Sequence, residues 1–189
     1  MVRQVFDYDP PQRFVAGTVG QPGSRTFFLQ ARTGVRLTSV ALEKAQVSVL
    51  AERVDELLDE VLRRTGGAAP VPALATAGFD DNDPLDAPIE EEFRVGTMSL
   101  AWDGDAERVV IECFAEGTAT DDELEEADED DEVVADGAVL RVSLSGAAAR
   151  AFAKRALAVV AAGRPPCPLC SGPLDPEGHI CPRANGYRR

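Results

Sequence analysis

At 189 residues the chain can build one substantial domain, or two small halves that share a core. Hydrophobic residues make up 44%, enough for a packed globular chain, while a formal net charge of −14 excludes phosphate-driven nucleic-acid binding and docking on an anionic membrane as global roles. No run of 18 apolar residues and no apolar signal core is present, so the expectation is a cytoplasmic protein with no membrane segment.

Three short strands are predicted first. Arg13 to Val19 leads into the turn cluster Gly20-Gln-Pro-Gly23, Thr26 to Ala31 into Thr33-Gly34, and Val35 to Leu42 follows. The segment Gly17-Thr-Val-Gly20-Gln-Pro-Gly23 lacks dinucleotide-binding spacing and precedes a strand rather than a helix, so it reads as a hairpin loop. From Lys44 the period becomes helical: Val47, Leu50, Ala51, Val54, Leu57, Leu58, Val61 and Leu62 form one face. Glu52, Arg53, Asp55, Glu56, Asp59 and Glu60 fill the other. Gly66-Gly67 ends this helix, with Arg63 and Arg64 placed against the negative end of its dipole.

Residues 66–91 are rich in Gly, Ala, Pro and Asp and read as a linker or long loop, with Leu74, Phe79, Leu85 and Ile89 placed to pin it to the surface. Phe93 to Trp102 and Arg108 to Glu116 are then predicted strands, joined by the turn Asp103-Gly104-Asp105. Val109, Ile111 and Cys113 share one face of the second, which makes Cys113 a small core residue. Asp121 to Asp136 carries eleven acidic residues in sixteen positions and reads as a disordered loop within 118–137, either solvated or a docking element for a basic partner. Ala138 to Leu144 alternates as a strand. Ala147 to Ala162 follows as an Ala-rich helix whose polar positions are mainly Arg150, Lys154 and Arg155, a narrow stripe that makes it the more deeply buried helix.

The predicted class is therefore α+β: an antiparallel sheet with two helices packed on one face. The organisation is a βββα half over 1–65, the linker 66–91, a second βββα half over 92–163, and a tail over 164–189. The halves read either as an internal duplication or as two similar meanders.

The tail holds three of the four cysteines and the only histidine: Cys167-Pro-Leu-Cys170, eight residues, then His179-Ile-Cys181. Cys-x-x-Cys spacing lets two sulfurs reach one ion from a tight turn. His179 and Cys181, two apart, leave an extended backbone on the same face. Thiolate and imidazole suit zinc, and four protein ligands close its coordination, which points to a structural zinc site. A redox dithiol at Cys167 and Cys170 is the alternative, although such pairs open a helix after a strand, and here a helix precedes and turns follow. Beyond the site, Arg183, Tyr187, Arg188 and Arg189 make a basic and aromatic end on an acidic chain. It is either paired internally or a contact surface for a partner.

Three regions together resemble an actinobacterial conserved-hypothetical family, domain of unknown function family 3090. They are Val5-Phe-Asp-Tyr-Asp-Pro-Pro-Gln-Arg-Phe-Val-Ala-Gly-Thr18, Leu42-Glu-Lys-Ala-Gln46, and Pro166-Cys-Pro-Leu-Cys170 running to His179-Ile-Cys-Pro-Arg-Ala-Asn-Gly-Tyr-Arg-Arg189. The resemblance implies the chain length, a cytoplasmic setting and the Cys/His tail.

No P-loop, Gly-x-Ser-x-Gly elbow or His-Glu-x-x-His motif occurs, and the metal site would claim the only histidine. The sequence therefore points to a non-catalytic, zinc-binding adaptor with a protein partner and no nucleic-acid or membrane target. Two alternatives stay open. One is an enzyme using carboxylates such as Asp103 and Glu112 in a sheet-helix pocket. The other is nucleic-acid association through the basic tail.

Overall fold

The computed structural model describes residues 3–119, 137–163, 167–170, 174, 179–181 and 183. The acidic tract from Asp121 to Asp136 lies outside them, as do Tyr187, Arg188 and Arg189. Seven strands form one sheet: β1 (Gln4–Tyr8), β2 (Arg13–Val19), β3 (Thr26–Thr33), β4 (Arg36–Leu42), β5 (Glu91–Asp103), β6 (Arg108–Ala115) and β7 (Ala138–Ser145). Two helices, α1 (Lys44–Thr65) and α2 (Gly146–Ala161), pack on one of its faces.

The strand order is β1-β7-β6-β5-β4-β3-β2. β2-β3-β4 and β5-β6-β7 are antiparallel meanders, each leading into a helix. They meet at β4 and β5, which run parallel, so the second meander repeats the order and directions of the first. The parallel join leaves the sheet mostly antiparallel, as expected, but mixed. Its physical cause is α1, which carries the chain back along the sheet and lets β5 start beside β4 in the same direction. A second parallel pair, β1 with β7, comes from a strand the sequence reading did not predict. Gln4–Tyr8 is mostly exposed, and only Tyr8 is fully buried.

β1 and β2 are opposite edges of the sheet, yet only residues 9–12 join them. Laid flat, seven strands would separate those edges by about 29 Å, whereas the connection from Tyr8 to Arg13 reaches roughly 18 Å at most. The sheet must curl. Tyr8 of β1 accordingly lies 2.8 Å from the Thr38 hydroxyl of β4, and Arg36 donates to the Asp7 carbonyl at 2.8 Å while its guanidinium covers the Tyr8 ring.

The helices fill the concave side. Phe14 and Ala16, Leu29, Val40, Val109, Ile111 and Cys113, and Leu140 and Val142 alternate along their strands into one core with Val47, Leu50, Val54 and Leu58 of α1 and Phe152, Ala153 and Ala156 of α2. α1 ends where the two glycines require, with Gly66 at φ 59 and the Gly67 N–H bonded to the Leu62 carbonyl. At its start Gln46 accepts from the Glu43 N–H and donates to the Val95 and Gly96 carbonyls, where the β5–β6 register shifts. α2 is the more buried helix, as its narrow polar stripe predicts, with only Lys154, Ala158 and Ala161 exposed.

Two of the three stripe residues, Arg150 and Arg155, turn inward to partners. Arg150 is 6% exposed and donates to Asp55 at 2.9 Å and Asp59 at 2.7 Å, so part of the acidic face of α1 also pairs with α2. Arg155 donates to the Ala16 carbonyl of edge strand β2 and to Asp81.

Residues 66–90, read from sequence as a linker, form a strap around that edge. Asp81 receives Arg13 Nε at 2.6 Å and Arg155 Nη1 at 2.7 Å. Gln30 exchanges two hydrogen bonds with the Asp86 backbone, and Leu85 sits where a side chain on Gly17 would be. This covers unpaired edge groups that would otherwise template aggregation. The hydrogen bond from Arg13 is the main reason the Asp81 carboxyl titrates below the usual carboxylate range. Its contribution to stability is therefore complete above the ordinary carboxylate value and disappears as pH falls through the lowered native one. Asp81→Asn should cost about 1.5–3 kcal/mol at neutral pH, the range for hydrogen bonds to charged groups. In melting curves, the gap between variant and parent should close as the medium is acidified. A gap that stays constant down to acid would show that the charge of Asp81 is not what latches the strap.

Candidate metal centre

α2 closes with the Ala162 N–H on the Ala158 carbonyl, and the chain then reaches Cys167 within five residues. Cys167 to Cys170 forms a tight turn in which the backbone N–H groups of Cys170 and Leu169 point at the Cys167 sulfur. Those donors, with His179 and Cys170 beside them, draw the Cys167 thiol down to about 6, so it is poised as a thiolate at neutral pH. Thiolate is the form that binds metal.

Cys167, Cys170, His179 and Cys181 offer four ligand atoms that all lie within 4.8 Å of one another. Cys167 Sγ to Cys181 Sγ is 3.8 Å, and Cys170 Sγ to His179 Nε2 is 3.7 Å. A disulfide would need about 2.05 Å. A tetrahedron built on a Zn–S distance of about 2.3 Å has sulfur–sulfur edges of about 3.8 Å. The donor set and its spacing thus fit a tetrahedral soft-metal ion: this is a Cys3His cluster capable of chelating one. Cys167 and Cys181 are buried, while Leu169 and Ile180, one inside each ligand pair, are exposed.

Arg183 folds back and donates to the Leu169 carbonyl at 2.9 Å, tying the chain after Cys181 to the first turn. Of the two readings of Arg183, paired internally or a partner contact, this hydrogen bond is the internal one. An arginine two residues past the last ligand, after a proline, is the only local signal for it.

The residues raised for other chemistry sit elsewhere. Cys113 is fully buried and its thiol is pushed up to about 12 by burial, so it is inert core. Asp103 accepts the N–H groups of Asp105 and Ala106 and caps the β5–β6 turn. Glu112 receives Arg141 at 2.6 Å and Ser99 at 2.8 Å across the sheet. A cavity of about 540 Å³ between α1, α2 and the strap is lined by Asp55, Asp59 and Leu74, but both carboxylates are already held by Arg150. Among the described residues no helix is long and apolar enough to cross a membrane.

The chain matches the family model described as Protein of unknown function (DUF3090) over residues 6–181 and belongs to that family. The matched span contains all four cluster residues and stops before Arg183. No curated protein and no solved structure matches the chain.

Proposed function

We propose that this DUF3090 protein is a zinc-stapled, non-catalytic binding module acting in a reducing cytoplasmic compartment. The observation that carries this reading is the convergence of three thiols and one imidazole within 4.8 Å in a segment too short to bury a core of its own. Four protein ligands leave no open coordination position, which favours a structural ion over a catalytic one. When bound, zinc would supply a cross-link between the turn at Cys167 and the pair His179 and Cys181. The cluster also occupies the one histidine of the chain, and the candidate carboxylates are engaged in turn and ion-pair contacts. An adaptor role follows from what is left: a stapled tail ending in Arg183, Tyr187, Arg188 and Arg189 on a chain of net charge −14.

Two results test this. Removing residues 183–189 should abolish recovery of a stoichiometric protein partner from native lysate without loss of zinc. Equal recovery by the truncated chain would remove the tail from the reading. Zinc affinity should also weaken as pH falls through about 6, where the free Cys167 takes up its proton in competition with the metal. An affinity unchanged between about pH 5 and 7 would contradict thiolate ligation.

A further inference from the structure

Among the described residues nearly every Lys and Arg has an oxygen partner. Arg13, Arg150, Lys154 and Arg155 reach carboxylates, as do the arginines of α1 and the sheet, and Arg36 and Arg183 reach carbonyls. Among the described residues, Arg25 and Lys44 are the two cations for which no oxygen partner is formed. They are 19 positions apart in sequence, yet both line one cavity of about 270 Å³, with Gly23, Phe27 and Gly163. A side-chain carbon built on Gly163 would lie 3.7 Å from Lys44 Nζ and 3.9 Å from Arg25 Nη2, so the two charges approach from different walls to within about 8 Å.

We propose that Arg25 and Lys44 form a site for a phosphate-class dianion, free phosphate or a phosphomonoester, in the cavity between the β2–β3 turn, the start of α1 and the end of α2. Several features agree. Two like charges converging on one space repel each other unless an anion joins them, and on a chain of net charge −14 carboxylates are available everywhere else. The Arg25 guanidinium carbon lies over the Phe27 ring, 5.6 Å from its centroid, a cation–π contact that helps hold the group in place without using its N–H donors. Lys44 is the first residue of α1, whose positive dipole end adds the same sign at that wall. The volume corresponds to about nine waters, room for a phosphate and part of an ester group.

The competing explanation is that both cations serve the negative end of α2, whose last turn carries no basic residue. Such a role would be expressed as hydrogen bonds to the final carbonyls. Neither side chain makes one. The closing bonds there are backbone: Ala162 N–H to Ala158 and Gly163 N–H to Ala161.

The test is a titration of the full chain with inorganic phosphate, followed by phosphorus NMR and by melting temperature, with chloride at equal ionic strength as the control. Saturable binding is expected, weakened about tenfold by either Arg25→Gln or Lys44→Gln. Lys154→Gln, a cation already paired with Asp80, should change nothing. Glycerol phosphate in a parallel titration separates the sources: tighter binding than phosphate identifies an ester ligand, weaker binding identifies the free ion, and either supports the site. No saturation up to about 10 mM would overturn it. So would equal affinity in the double variant, or a lowered melting temperature in the variants with no phosphate response, which would assign the cations to the α2 terminus. Zinc content reports on the metal centre separately, so failure here leaves that reading intact.

Discussion

Chelating the metal is expected to release the C-terminal segment and leave the seven-stranded sheet folded. The shared core is built from the strands, α1 and α2, and includes none of Cys167, Cys170 or Cys181. The described contacts of the cluster, in turn, include a tight turn, an arginine-carbonyl bond and four ligand atoms. In zinc-finger peptides a structural ion contributes roughly 10–16 kcal/mol of binding free energy, and that energy is folding energy for the segment it organises. Hydrogen exchange should therefore show protection at Leu169, Cys170 and Cys181 that collapses on chelation, while amides of β5, β6 and β7 keep theirs. Cys170→Ser should reproduce the loss without chelator. Unchanged protection of the cluster after complete metal removal would mean that the turn and Arg183 suffice, and the staple would be superfluous.

The largest effect on the body of the fold is predicted at Phe152. This side chain is 3% exposed and stacks on Phe14 with ring centroids 4.6 Å apart, joining α2 to edge strand β2. Phe152→Ala should cost about 3–5 kcal/mol, the range for buried Phe→Ala changes, out of a total near 5–15 kcal/mol for a domain. For a chain of this size that corresponds to a drop of roughly 6–20 °C in Tm. Val49→Ala, on the exposed side of α1, should stay within about 0.5 kcal/mol. A loss under about 1 kcal/mol at Phe152 would show that α2 is not the element holding the curled sheet together.

What the sequence disclosed and what it withheld divide by range. Alternation at Val109, Ile111 and Cys113 and the helical period from Val47 to Leu62 are local signals, and they mark the faces that the core buries. The Cys3His cluster was legible for the same reason, because each ligand pair is set by spacing over three or four consecutive residues. The parallel join of β4 to β5 was not legible, since it depends on where α1 and 25 residues of strap return the chain. β1 was missed because an edge strand with one buried side chain carries almost no period. Arg150 and Asp59 read as solvated charges because each is polar on its own helix. Only the packing of α2 on α1 buries Arg150 and brings it to the exposed Asp59 carboxylate. Arg25 and Lys44 gave no signal for a similar reason: a hairpin turn and a helix start share a cavity only once β3 pairs with β4 and the end of α2 packs beside them.

Metal analysis of the natively purified full chain, run beside Cys170→Ser, tests the central claim most directly. About one zinc per chain is expected in the parent, none retained by the variant, and loss of exchange protection confined to the cluster. Parent protein that is metal-free as isolated, takes up no zinc, and matches the variant in protection at Leu169 and Cys181 would contradict it.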